Sequence, residues 1–156
     1  MSIAPIVTAV TVKVPPARAF TLFTQQISQW WQGRGGCLIG QNPWVDIVIE
    51  PKTGGRLFER DAQGIETDWG KVLAYEPPHR LLLGWQLTSG WKFDPDFLTE
   101  VEVTFAANRQ GGTDVRLEHR NLERFGAEAE KTAASLGGGW PKQIGAFGIY
   151  ADQHKE

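Results

Sequence analysis

The chain has 156 residues, of which 41% are hydrophobic and 22% are charged, a composition ordinary for a globular protein that folds as one domain over residues 1–156. The formal net charge is −2 and the lysines and arginines are scattered, which excludes the concentrated basic face of a nucleic-acid-binding protein. No apolar run approaches the ~20 residues that span a bilayer, no signal peptide is recognisable and the one cysteine forbids an internal disulfide, so we predict a cytoplasmic protein that does not bind membranes.

The first quarter of the sequence predicts a strand followed by a helix. Between residues 3 and 14, apolar side chains recur at every second position, as on the buried face of a β-strand. Pro15 and Pro16 end this strand and suit the first turn of a helix. The helix carries Phe20, Phe23 and Ile27 on one apolar stripe, and it is predicted to continue to the glycine-rich loop that follows Trp31.

The middle of the chain predicts six further strands in an antiparallel meander. Short turns with the sequences PKTGG, DAQG, EPPHR and NRQGG separate segments of strand-like composition. The predicted strands are 44–50, 56–60, 66–75, 81–88, 98–106 and 113–122.

The last part of the chain is predicted to be helical. A short helical piece precedes the triple glycine 137–139, and a long helix runs from 140 to about 153, with Pro141 in its first turn. Gly145 and Gly148 either lower its helicity or allow a close approach to the sheet. Because the apolar face of a curved sheet has to be covered, we expect this helix to pack on it and to leave a cavity.

Five pieces along the whole length carry a family resemblance: VKVPPARAFTLFTQQISQWW, PKTGGRLF, GKVLAYEPPHRLLLGWQL, TEVEVTF with GGTDVRLEH, and GGGWPKQIGAFGIYADQ. In their order and spacing they resemble the activator of heat-shock protein 90 ATPase homologue family of the START-like superfamily. The resemblance implies an α+β helix-grip fold, in which a seven-stranded antiparallel sheet curves around a long C-terminal helix, with one or two short helices after the first strand.

The resemblance also implies a range of functions. Members of the superfamily bind hydrophobic ligands in the cavity, and some are aromatase or cyclase enzymes. The eukaryotic namesakes stimulate a chaperone ATPase with the help of an additional N-terminal domain, for which we expect no room in this chain. The chaperone role is therefore not carried over directly.

Aromatic residues supply most of the candidate binding residues, because the chain has seven tryptophans and eight phenylalanines. Trp85 shares a strand face with three leucines, Trp91 and Phe93 lie in a loop able to cover an opening, and the facing of Phe58 and Trp69 stays open because one bulge inverts it. The alternative is that these side chains only fill a core. The candidate ligand-binding residues are Trp31, Phe58, Trp69, Trp85, Trp91, Phe93, Leu117, His119, Trp140, Ile144 and Phe147.

The neighbouring tryptophans Trp30 and Trp31 are predicted to have different roles. At about 100° per residue, they fall roughly 50° to either side of the apolar stripe of the first helix. We predict that Trp30 lies in the core and that Trp31 lies at the mouth of the cavity, whereas the alternative places both in the core.

His119 alternates with Val115 and Leu117, which predicts that it points inward. It is either a polar anchor or proton donor for a ligand, or a hydrogen-bonded core histidine. Glu59, Arg60, Glu66 and Asp68 are predicted to form a solvated sheet face. The sequence shows no metal-ligand spacing, nucleophile motif or nucleotide-binding glycine pattern, so no metal, cofactor or catalytic residue is predicted.

The sequence thus favours a protein that binds a hydrophobic or aromatic small molecule between the sheet and the last helix. Two alternatives stay open. One is a cyclase, dehydratase or hydrolase that uses His119, and the other is an interaction module that acts on a chaperone or another protein. Both a monomer and a homodimer are compatible with the sequence.

Overall fold

The computed structural model describes residues 2–155. Its elements begin with strand β1 (Ile6–Val12) and the short helices α1 (Pro16–Gln25) and α2 (Ile27–Trp30). A 3₁₀ segment (Leu122–Glu128) leads into the long last helix α3 (Ala129–Gln153). The strands between them are β2 (Trp44–Ile49), β3 (Arg56–Asp61), β4 (Glu66–Glu76), β5 (Arg80–Trp85), β6 (Thr99–Ala107) and β7 (Thr113–Arg120).

All seven strands form one antiparallel sheet in the order β1-β7-β6-β5-β4-β3-β2. Six of them therefore follow one another as a meander, and β1 closes the far edge by pairing with β7. The sheet is curled, and α3 covers its inner face. The predicted α+β helix-grip fold is confirmed.

The first helix is shorter than predicted, because the chain breaks at Gln26, whose φ of −118° and ψ of 25° lie outside the helical range. The break lets α2 turn onto β2. There, the Ser28 hydroxyl accepts the N–H of Ile47 at 2.7 Å and donates to its carbonyl at 2.9 Å. One side chain thus satisfies both backbone groups of a strand residue and holds α2 against the sheet.

Helix α3 is longer than predicted, because it begins at Ala129 and continues through the triple glycine and Pro141. The preceding sequence AEKTAASL consists largely of good helix formers. The three glycines are exposed on the helix surface, and Pro141 lies inside the helix instead of in its first turn. The prediction of a separate short piece before Gly137 is therefore wrong.

The C-terminal half of α3 approaches β1 closely at Gly148. A Cβ atom there would come within 2.6 Å of a methyl group of Val10. A Cβ atom on Gly145 would meet nothing within 4 Å. Of the two glycines considered from the sequence, only Gly148 is required by packing. Within residues 2–155, no helix is both long enough and apolar enough to span a membrane.

The two glycines predict opposite effects of the same substitution. Gly145→Ala should raise the free energy of unfolding by up to ~1 kcal/mol, because alanine is the better helix former. Gly148→Ala should lower it by ~1–3 kcal/mol, because the stiff Val10 side chain has to move. Urea denaturation of both variants measures the difference, and a stabilised Gly148→Ala protein would contradict the close contact between α3 and β1.

Candidate functional site

A cavity of about 330 Å³ lies between the N-terminal half of α3 and the inner face of the sheet. Its walls come from the loop after α2, from β4 and β5 with the loop that follows, and from α3. Five tryptophans line it: Trp31, Trp69, Trp85, Trp91 and Trp140. The other lining residues are Cys37, Leu38 and Ile39 from the loop, Leu87 after β5, and Ser135, Leu136, Gly139 and Gln143 from α3.

Four of these tryptophans pack in a closed ring. The distances between ring centroids are 5.4 Å from Trp31 to Trp69, 6.0 Å from Trp69 to Trp85, 5.3 Å from Trp85 to Trp140 and 5.9 Å from Trp140 back to Trp31. The interplanar angles lie between 55° and 85°, so each contact is tilted or edge-to-face, the favourable arrangement of aromatic pairs. The same four residues also border a second void of about 10 Å³ on the core side, so the ring separates the cavity from the core.

A β-bulge directs Trp69 into this ring. Leu57 of β3 pairs with Gly70 of β4, but the next residue, Phe58, pairs with Asp68. Trp69 is therefore the extra residue without a partner on β3. Bulges of this kind redirect a side chain and are frequent beside functional sites.

Trp30 and Trp31 lie in different surroundings, Trp30 in the core and Trp31 in the ring of tryptophans that lines the cavity. Trp30 is 2% exposed, and its indole N–H donates to the carbonyl of Leu22 at 3.2 Å. It packs on Phe23 and Phe147. Trp31 is half-buried and lines the cavity.

Trp91 lies at the tip of a small hairpin that extends from β5 across the mouth of the cavity. An isolated bridge joins Leu87 to Phe93, and the N–H of Trp91 donates to the carbonyl of Thr88 at 2.9 Å. The φ of Trp91 is +59°, a conformation that is uncommon for a residue with a bulky side chain. The residue is 43% exposed, so an aromatic side chain is held at the entrance at some energetic cost.

His119 lies behind the ring and is fully buried. The indole N–H of Trp140 donates to its Nδ1 at 3.0 Å, so Nε2 carries the proton and donates to the Thr99 hydroxyl, 2.7 Å away. Burial lowers the pKa of His119 to about 3. The geometry is that of a hydrogen-bonded core histidine, since both nitrogens are occupied by protein groups and the side chain does not line the cavity.

Glu59 was predicted to be solvated but points inward and is 2% exposed. Its Oε1 accepts the indole N–H of Trp69 at 2.8 Å and the backbone N–H of Ile39 at 2.9 Å. A Cβ atom on Gly40 would lie 3.0 Å from Oε2, so a glycine permits the loop to approach the carboxylate. The other three charged residues do lie on the outer face, where Arg56 binds Glu66 and Asp68, and Arg60 binds Glu66.

Several predicted binding residues lie away from the cavity. Phe58, a candidate binding residue whose facing the sequence left open, is on the outer face of the sheet, where the guanidinium groups of Arg56 and Arg60 lie 4.0 and 5.4 Å from its ring centre. Leu117 borders only the small void. The remaining three, which pack in or against the core without lining the cavity, are Phe93, Ile144 and Phe147.

On α3, sequence reasoning identified Trp140 but missed the other residues of the cavity wall, which are Ser135, Leu136, Gly139 and Gln143. Leu136, Gly139, Trp140 and Gln143 follow one another at spacings of three, one and three residues, as on one face of a helix. This helical spacing is present in the sequence, but a helix predicted to begin at 140 does not include its first residues. The loop residues 37–39 carry no periodic signal, because Glu59 and the turn geometry position them.

The fold and the cavity together define a helix-grip protein with an aromatic-lined internal site. The profile of the family "Activator of Hsp90 ATPase homolog 1-like protein" matches residues 13–151, and the chain belongs to this family. A search among curated proteins finds no significant match. Within residues 2–155, no cluster of three or more histidine, cysteine, aspartate or glutamate side chains is arranged to hold a metal ion.

Solved structures extend this relationship. The anthrahydroquino-γ-pyrone synthase Txn09, solved as a complex with SUM, is 32% identical over 95% of this chain and 97% of its own, with a TM-score of 0.66. The self-sacrificing resistance protein CalC from Micromonospora echinospora is 31% identical over 96% of this chain and 95% of its own, with a TM-score of 0.68. Protein MLL2253 from Mesorhizobium loti, 22% identical with a TM-score of 0.69 over 96% of this chain and 98% of its own, shows the shared fold alone.

The buried His119 predicts a loss of stability in mild acid. Its pKa is about 3 in the folded protein and about 6.5 in the unfolded chain, so the unfolded state binds the extra proton first as the pH falls. Stability that is present above pH 6.5 is lost as the pH falls towards 3. Between pH 6.5 and pH 5 we expect a loss of ~1–2 kcal/mol from this group, which His119→Gln should remove. Equal pH dependence of the two proteins in urea denaturation would contradict this assignment.

The two neighbouring tryptophans predict unequal stability losses. Trp30→Ala should lower the free energy of unfolding by ~3–5 kcal/mol, because a fully buried aromatic side chain is removed. Trp31→Ala should lower it distinctly less, because part of that ring already faces open space. Denaturation curves give both values, and matching losses would argue against a cavity-facing Trp31.

Proposed function

We propose that the protein binds a flat, fused-ring aromatic small molecule in the cavity between α3 and the sheet. The observation that carries this proposal is the ring of four tryptophans at the floor of a cavity of about 330 Å³. Sites for small molecules are concave, largely apolar and of about this size. Tilted indole rings offer a fused-ring ligand both edge-to-face and offset-stacked contacts.

One related structure, that of Txn09, supports an aromatic ligand. Txn09, at 32% identity, is a synthase whose name refers to an anthrahydroquinone joined to a γ-pyrone, which is a fused-ring aromatic system. We take from that name only the class of ligand. The size and flatness of a fused-ring aromatic molecule suit a cavity walled by indole rings.

The structure favours ligand binding as the function over catalysis in which His119 acts as a general acid or base. A general acid or base has to reach the reacting group and to change its protonation state near the working pH. His119 has both nitrogens engaged by Trp140 and Thr99, and its pKa of about 3 keeps it neutral at pH 7. The interaction with a chaperone, the cytoplasmic location and the oligomeric state stay predictions from the sequence.

A substitution at Gly139 tests the site directly. A Cβ atom there would meet nothing within 4 Å, and the residue lines the cavity, so a leucine side chain would occupy the open space. Gly139→Leu should weaken binding of anthracene-2-sulfonate about tenfold or more, measured by isothermal titration calorimetry. Stability should be kept or raised by up to ~1 kcal/mol, because leucine is the better helix former.

Gly145→Leu is the matched control. It makes the same change on the same helix, at an exposed position outside the cavity, and should bind the probe as the unchanged protein does. Undetectable binding of the probe to the unchanged protein, or equal affinity in both variants, would overturn the proposed site.

A further inference from the structure

The polar side chains around the cavity divide into those already bonded within the protein and those left free. The N–H groups of Trp69 and Trp140 are bonded to Glu59 and His119. The thiol of Cys37 donates to the carbonyl of Gln41 at 3.5 Å. These three groups have no donor capacity left for a ligand.

Trp85 has a free donor. No acceptor for its indole N–H is present within residues 2–155, although the residue is only 5% exposed. In the same part of the chain, the only side-chain nitrogen or oxygen that is both fully buried and unpaired is Oδ1 of Asn121. The N–H of Trp85 is therefore not sealed in the core. Trp85 borders the cavity and also the void of about 10 Å³ behind the ring, and of these two spaces the cavity is the one with room for a ligand.

Gln143 offers a second donor on the opposite wall. Its Oε1 accepts the backbone N–H of Gln32 at 2.9 Å, which fixes the orientation of the amide. The two N–H bonds of Nε2 remain, because no acceptor for them is present in the described chain, and Gln143 lines the cavity. Trp31 also lines the cavity, with an indole N–H that has no acceptor among residues 2–155.

Side-chain acceptors are few by comparison. Among the described residues no carboxylate lines the cavity, and the Oε1 of Gln143 is already bonded. Only the hydroxyl of Ser135 is able to accept as well as donate. A donor that a ligand buries without pairing it is unfavourable, so a site with excess donors selects ligands that present acceptors.

From this imbalance we infer that the aromatic ligand carries carbonyl oxygens on its rings, as a quinone or aryl ketone does, and that Trp85 and Gln143 donate hydrogen bonds to them. The inference rests on the proposed function, and it narrows the ligand class from fused-ring aromatics to their oxidised, carbonyl-bearing forms. A hydrocarbon of the same shape leaves the donors unpaired, and a polyphenol brings donors of its own.

Two commercial probes test the inference. Anthracene-2-sulfonate and anthraquinone-2-sulfonate share the three-ring skeleton and the sulfonate, and differ in the two carbonyl oxygens. Without donors to meet them, the carbonyls would weaken binding, because they lose hydrogen bonds to water. With donors present, calorimetry should show the quinone binding about fivefold to tenfold tighter, as one or two net hydrogen bonds give.

Variants locate the donors. Trp85→Phe keeps an aromatic ring and removes the N–H, and Gln143→Leu removes the amide. In each, the ratio of the two affinities should fall towards one. Gln153→Leu makes the same change as Gln143→Leu at an exposed position at the end of α3, outside the cavity, and should keep the ratio of the unchanged protein.

The outcomes separate the two proposals. If the hydrocarbon binds and the quinone binds no tighter, the inference is overturned and the aromatic site stands. If the preference persists in both cavity variants, the assignment of the donors is wrong. If neither probe binds, the aromatic site and the inference fall together.

Discussion

The structure depends on one constraint, which is that a single 25-residue helix has to cover the inner face of a curled sheet. The C-terminal half of α3 achieves this by direct contact, and Gly148 lies against Val10 with no room for a side chain. The N-terminal half borders the cavity instead, through Leu136, Gly139 and Trp140. The gap between helix and sheet is bridged there by large aromatic side chains, and the part that they leave unfilled is the cavity.

Two buried acceptors hold those aromatic side chains in place. His119 accepts the N–H of Trp140 and Glu59 accepts that of Trp69, each at a distance of 3.0 Å or less. Leaving any of these groups unpaired in the core would cost ~1–3 kcal/mol, so acceptor and indole fix each other. His119, for which the sequence left a proton-donor role open, and Glu59, expected to be solvated, both act here as hydrogen-bond acceptors that support an apolar surface. Their hydrogen bonds to the two tryptophans account for their burial.

The sequence predicted the fold well because its main signals are periodic. Alternation identified all seven strands, and the inward position of Trp85 and His119 followed from it. Signals from neighbouring residues gave wrong or open predictions where contacts with distant parts of the chain determine the structure. The triple glycine and Pro141 indicate a helix start. The helix formers before them and the packing on the sheet nevertheless make α3 begin at Ala129 and continue without a break past Pro141. The inward turn of Trp69 depends on a bulge in β4, which no pattern reveals. Glu59 is buried because two N–H donors meet it, and those donors come from residues 20 and 10 positions away.

The same contacts determine how the cavity responds to a ligand. The Oε1 atom of Glu59 bonds at once to Trp69 in the floor and to Ile39 in the wall, so the wall cannot move outward without removing a partner from a buried carboxylate. Trp140 is held in the same way by His119. Because an indole has only two side-chain torsions, one hydrogen bond and a ring of neighbours leave it little freedom. The floor is therefore formed before a ligand arrives, and little binding free energy is used to order it. The part of the cavity that is able to change shape on binding is the entrance, where Trp91 is exposed and has a backbone conformation that is unfavourable for it.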